Sequence, residues 1–148
     1  MSEQQSKRFV GTWRLVSTAF HSEDGLPVES PYGSAPQGIL IYDAHGNMAA
    51  QVSQGGREPF AVNDRKAGTD TQTRAAFESY QAYNGRYHVD EQERVVIHTV
   101  TQALLPNWVG GEQRRHYEFT SGKLILRTPP MLIGGKPLIG ELIWEPAN

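Results

Sequence analysis

The chain has 148 residues, enough for one domain around one sizeable core. Lys plus Arg number 14 against 16 Asp plus Glu, a net charge of −2, which argues against a nucleic-acid-binding face or a polybasic membrane surface. Hydrophobic residues at 38% and aromatic residues at 9% exclude a disordered chain, and zero cysteines exclude disulfides, thiolate metal sites and a cysteine nucleophile. Taken in chain order, Gly11 to Phe20 reads as the first strand, alternating β-branched or aromatic residues with small or polar ones. A Gly/Pro-rich loop from His21 to Pro36 ends it. Gly38 to Asp43 and Asn47 to Ser53, joined through Ala44-His45-Gly46, read as a hairpin. From Gln54 to Thr71 the chain is a long polar loop, of a length that suits a lid. Between Thr71 and Tyr83, Ala76, Tyr80 and Tyr83 recur at i, i+4 and i+7 with Phe77 beside them, and Asn84-Gly85 supplies a stop, so one helix is predicted there. Strand signals resume at Arg86 to Val89, Arg94 to Gln102, Gln113 to Thr120, Lys123 to Thr128 and Leu138 to Glu145.

That makes an all-β chain of eight strands joined mostly as antiparallel hairpins. Exposed strand edges invite association, and closing the sheet into an up-and-down barrel removes them; the helix then closes one mouth. An eight-stranded barrel is just wide enough inside for one small ligand, whereas the alternative, a flattened sandwich, has no such cavity. No apolar run approaches the ~18 residues of a spanning helix, and the opening MSEQQSKRF has no apolar secretory core, so the expected location is the cytoplasm, away from membranes.

Because side chains alternate along a strand, one fixed residue sets the rest. With Trp13 inward, Leu15, Ser17 and Ala19 follow and Arg14 faces out. In the hairpin from Gln113 to Thr128, Tyr117, Phe119, Leu124 and Leu126 form the inward set, and the same parity puts Arg115 inside. On Arg94 to Gln102, Val96 and Val100 flank His98 on one face and Val95, Ile97, Thr99 and Thr101 form the other; either face can be the core, and the two threonines on the second favour His98 inward. Leu138, Leu142 and Trp144 share one face of the last strand; Glu141 is left unplaced. Trp13 reads as a structural residue near the barrel base, with Arg127 as a cation to stack on it.

An imidazole with an ordinary pKa near 6.5 exchanges protons at cellular pH, so His98 is the candidate general acid/base, against the plain reading of a histidine satisfied by a carbonyl. A buried Arg115 demands an anion, either Glu141 or a ligand carboxylate, phosphate or enolate. Tyr42, Gln51, Tyr83, Tyr87 and Tyr117 offer hydroxyls and an amide to orient a ligand, and Trp108 and Trp144 offer apolar walls, though each is equally ordinary as core packing. No metal site is expected: His88 and His116 fall on the face opposite to His98, and there is no His-x-His or HExxH spacing. Neither a Gly-x-Ser-x-Gly elbow nor a phosphate loop occurs, so Gly55-Gly56 and Gly134-Gly135 read as hinges and no cofactor is expected. Met131-Leu132-Ile133 reads as an apolar flap over a mouth or as an oligomer contact, which leaves a homodimer open.

Gly11-Thr12-Trp13 resembles the Gly-x-Trp signature of lipocalins and the wider calycin barrels. GTWRLVS, GILIYDAHGNMAAQV, YQAYNGRYHV, VVIHTV, PNWVG and the Arg115/Tyr117 pair, in this order, resemble the bacterial and fungal lipocalin-like domain family over most of the chain. The resemblance implies an eight-stranded barrel with a small-molecule cavity, often in proteins encoded beside secondary-metabolite or catabolic enzymes. With no apolar secretory core in MSEQQSKRF and no cysteines, the chain is expected to differ from secreted lipocalins, so extracellular transport is not the expectation. Three functions follow as expectations. The first is binding of a small, partly apolar organic molecule with an anionic or carbonyl group facing Arg115 and His98. The second is a cofactor-independent cyclase, isomerase or dehydratase using His98 as acid/base and Arg115 with tyrosine hydroxyls as oxyanion partners. The third is a dimerisation module whose cavity is filled by its own side chains.

Overall fold

Alternating apolar and polar residues bounded by turn glycines build strands, and here they build a sheet that closes on itself. The computed structural model describes residues 2–148, with side chains from Ser6 onward. In chain order the elements are α1 (Ser2–Phe9), β1 (Gly11–Ser22), β2 (Pro27–Val28), β3 (Gln37–Tyr42), β4 (Asn47–Ser53), α2 (Asp70–Glu78), β5 (Tyr80–Asp90), β6 (Val95–Ala103), a 3-10 turn (Pro106–Trp108), β7 (Glu112–Thr120), β8 (Lys123–Arg127), β9 (Met131–Ile133) and β10 (Lys136–Pro146). Neighbours follow the order β1-β3-β4-β5-β6-β7-β8-β10, and β10 pairs back onto β1, so eight antiparallel strands close the barrel. Short β2 and β9 add to the rims of β1 and β10. No helix among the described residues is long and apolar enough to cross a membrane.

The β3–β4 hairpin pairs Tyr42 with Met48 through Gln37 with Ser53, over the predicted segments. Two bulges adjust the register. On β1, Leu15 faces Trp144 but Ser17 faces Ile143, so Val16 is the extra residue. That single insertion reverses the predicted parity beyond it: Ala19 is exposed, and Phe20 takes the inward place. On β5, Asn84 faces Gln102 and Gly85 faces Val100, skipping Thr101. A Cβ at Gly85 would lie 1.9 Å from the Thr99 carbonyl oxygen, so the Asn84-Gly85 pair marks a strand irregularity rather than a helix stop.

The predicted helix over 71–83 is shorter and earlier. Thr69 and Gln72 form a capping box, the Thr69 hydroxyl accepting from Gln72 N at 3.1 Å and Gln72 Oε1 from Thr69 N at 2.9 Å. Tyr80 and Tyr83 belong to β5, where pairing with β4 and β6 outweighs their helical spacing. No residue of α2 is buried; it sits at one mouth, tethered by Arg57, which donates to the Ser79 hydroxyl and the Ala76 carbonyl at 2.8 Å each.

The opposite end is plugged by a residue the sequence pattern did not single out. Phe9, at the end of α1, is fully buried and stands edge-on to Tyr42, Tyr117 and Phe119 at 5.3, 5.0 and 5.0 Å. The Trp13 indole N–H donates to the Phe9 carbonyl at 2.8 Å and holds the plug to β1. The cation expected over Trp13 lies elsewhere. Arg127 points out between Glu118 and Glu141, at 3.1 and 2.8 Å, and the guanidinium that does stack at this end is Arg8, 4.1 Å over Phe119. Truncating the plug opens a void among three rings that cannot collapse onto it. Phe9→Ala is therefore expected to cost about 3–5 kcal/mol in urea unfolding.

Candidate functional site

His98 points into the barrel from the centre of β6, flanked by inward Val96 and Val100, and is 1% exposed. Its two ring nitrogens are both occupied: Nε2 lies 2.6 Å from the Tyr42 hydroxyl and Nδ1 lies 2.7 Å from the Tyr83 hydroxyl. Burial, reinforced by the positive charge of Arg115, lowers its pKa to about 3, so the ring is neutral and carries one N–H. Proton accounting then fixes the direction of the chain. Tyr42 is buried and has no hydrogen-bond partner among the described residues other than His98. If Nε2–H donated to Tyr42, the tyrosine's own hydrogen would be stranded in the core. Tyr42 therefore donates to Nε2, Nδ1–H donates to Tyr83, and the Tyr83 hydrogen is left over. Tyr83 lines the cavity, so its spare hydrogen is available there.

Arg115 enters from β7, opposite Val96, and is 8% exposed. Two of its five N–H groups are used, by the Arg114 carbonyl at 2.9 Å and by Gln113 Oε1 at 3.2 Å. No carboxylate among the described residues pairs with it. The alternative of an internal pair with Glu141 is overturned, because Glu141 faces outward and is held by Arg127. Tyr32 stands nearby: burial raises its pKa to about 12 and Arg115 moderates the rise.

These side chains surround an inner chamber of about 60 Å³, walled mostly by Phe20, Leu40, Val52, Leu126, Leu142 and Trp144. Trp144 is 2% exposed, and its indole N–H is buried with no partner. A vestibule of about 480 Å³ adjoins the chamber and shares Tyr32, Gln81, Trp108 and Met131 with it. Trp108, on the 3-10 turn, stands edge-on to Tyr83 at 5.4 Å. Phe77 of α2 and the β9 strand Met131–Ile133 form its outer rim, with Leu132 78% exposed.

Of the residues singled out from the sequence, His98, Arg115, Tyr83, Trp108 and Trp144 come together at the chamber. Tyr42 lies behind His98. Tyr87 and Tyr117 are in the aromatic base, where Tyr87 donates to the Asp43 carbonyl at 2.8 Å and Tyr117 packs on Phe9. Gln51 does not reach the cavity: it is exposed on the outer face and accepts from the Tyr80 hydroxyl. His88 and His116 are exposed, on the other side of the sheet from His98. Tyr32, Gln81 and Thr128 line the chamber without having been foreseen. Tyr32 sits in a loop, where alternation says nothing; Gln81 falls in the segment whose spacing predicts a helix.

Residues 10–147 match the lipocalin-like domain family. A protein of Aspergillus oryzae (strain ATCC 42149 / RIB 40) named 4'-hydroxy-3'-methoxypropiophenone carrier protein is 33% identical over 105 residues, covering 66% of this chain and 95% of that protein.

The depressed basicity of His98 has a consequence for stability. The folded ring binds a proton only near pH 3, whereas the unfolded ring binds one near 6.5. Between these values the unfolded state holds more protons, so stability is full above about pH 6.5 and declines as pH falls towards 3, by up to ~1.4 kcal/mol per pH unit. Urea midpoints at pH 7 and pH 5 are expected to separate for the wild type and to converge for His98→Gln.

Proposed function

The chain belongs to the lipocalin-like domain family, and we propose that it is a carrier-type binding protein for a small oxygenated aromatic molecule, taken into the barrel oxygen end first. The observation that carries this reading is a set of donor-bearing side chains in a mostly apolar chamber. Arg115, with two of its five N–H groups used, lines the inner chamber with Tyr83 and Trp144, and a roomier vestibule adjoins it, lined by apolar Phe77, Leu104, Leu105, Trp108 and Ile133 and by polar Glu78, Tyr80 and Gln113. The chamber has room for about four waters at ~15 Å³ each, which suits a polar head; the body of a ligand belongs in the vestibule. The relative's name supplies a concrete candidate class, aryl ketones bearing hydroxyl and methoxy groups.

Binding is favoured over catalysis by the same geometry. A cofactor-independent cyclase or isomerase built on His98 needs a ring nitrogen that faces substrate and holds a proton near neutral pH. Both nitrogens of His98 are engaged by tyrosine hydroxyls, and a ring with a pKa of about 3 is a poor base. Its role is to orient Tyr83. Calorimetric titration of the wild type with 4'-hydroxy-3'-methoxypropiophenone is expected to show one saturable site. Trp108→Ala, which removes the wall between vestibule and chamber, is expected to weaken it about tenfold, ~1.4 kcal/mol. Absence of saturable binding to this ketone and to a panel of hydroxy- and methoxy-substituted aryl ketones would count against the reading.

A further inference from the structure

We propose that the chamber takes its ligand as an oxyanion, so that the occupant is a weak oxygen acid, a phenol, enol or carboxylic acid, bound in its ionised form against Arg115, Tyr83 and Trp144. The inference rests on the binding reading above and adds the charge state of the ligand. Three separate observations carry it. First, a guanidinium only 8% exposed has its two shown bonds to neutral acceptors, an amide oxygen and a main-chain carbonyl, and no carboxylate partner among the described residues. A desolvated cation left in that state is costly, and an anion arriving in the chamber supplies the missing half of the pair. Second, the indole N–H of Trp144 is buried without an acceptor. Third, the hydrogen left over on Tyr83 also lacks one, because Tyr42 fixes the direction of the chain through His98.

Arg115, Tyr83 and Trp144 all line the chamber of about 60 Å³, a space sized for one oxygen-bearing head group. Among the described residues no Asp or Glu lines the chamber, and Glu78 is at the vestibule. A neutral ketone accepts hydrogen bonds but leaves the charge of Arg115 unanswered. A phenolate, enolate or carboxylate answers the charge and accepts the remaining donors at once.

Among the described residues, the ionisable groups facing the ligand are Tyr32, Tyr83, His98 and Arg115, with Tyr42 behind His98 and Glu78 and Tyr80 at the vestibule. Tyr32, Tyr42 and Tyr83 are pushed above their ordinary range by burial, and His98 is pushed far below its own, so these four stay neutral across about pH 5 to 8. A change of bound spectrum in that window therefore reports on the ligand.

The test compares 4'-hydroxy-3'-methoxypropiophenone with its 4'-O-methyl ether, which has almost the same shape but cannot ionise. At one pH unit below the free phenol's own pKa, ultraviolet difference spectra are expected to show the bound phenol as phenolate, and the ether is expected to bind at least tenfold more weakly. Arg115→Gln is expected to abolish both the phenolate spectrum and the discrimination. Equal affinities with a neutral-phenol spectrum would overturn the oxyanion inference and leave small-molecule binding standing. Failure of the phenol, the ether and 4-hydroxybenzoate alike to bind would overturn the binding reading itself. The two ligands are compared on the wild-type protein, so the test holds even where Arg115→Gln does not fold.

Discussion

Closure of the sheet through β1 and β10 is the constraint from which the rest follows. Once those strands pair, from Trp13 opposite Pro146 to Ser22 opposite Leu138, there is no edge, and each strand side chain is committed either to the inside or to the outside. The outside tolerates charge cheaply, and Arg14–Glu145 and Arg127–Glu141 sit there as exposed or half-exposed pairs of small value. The inside tolerates it only with an answer. A histidine placed inside is neutralised by burial and bonded at both nitrogens; an arginine placed inside keeps its charge, which is why the polar chemistry of the cavity is dominated by one cation.

Alternation is a local property, and what depends on it alone was legible in the sequence. The hairpin over residues 38–53 and the inward Tyr117, Leu124, Leu126 and Arg115 follow from a two-residue period read within one strand, whereas β6 is buried on both faces from Val95 to His98, so the period alone leaves the direction of His98 open. What depends on partners was not. Val16 bulges because β10 offers one residue fewer opposite it, and no local pattern announces that; Ala19 was misplaced as a result. Tyr80 and Tyr83 have helical spacing, yet two neighbouring strands claim them. Gln51 is instructive in the other direction, since its place between inward Ala50 and Val52 already marked it as outward.

The two ends of the barrel divide structural and binding roles, and aromatic residues serve both. At the base, edge-to-face rings leave no room: Phe9, Tyr42, Tyr87, Tyr117 and Phe119 fill the section that a ligand would otherwise occupy. At the open end Tyr32, Tyr83 and Trp108 frame space instead, because their backbones lie on a loop, beside a strand bulge and on a 3-10 turn rather than in regular facing strands.

A line of contacts joins the two ends. Phe9 stands edge-on to Tyr42 at 5.3 Å, and Tyr42, with no other hydrogen-bond partner among the described residues, donates to His98. That donation selects the tautomer of His98, the tautomer makes Tyr83 an acceptor on its inner side, and Tyr83 is thereby left with one hydrogen for the chamber. Phe9, at the end of α1, packs edge-on against the same Tyr42 ring and so joins the base of the barrel to this line of contacts. The donor character of the chamber is consequently a property of the barrel beyond the chamber walls: Tyr42, which does not line the chamber, sets the hydrogen that is left on Tyr83, which does.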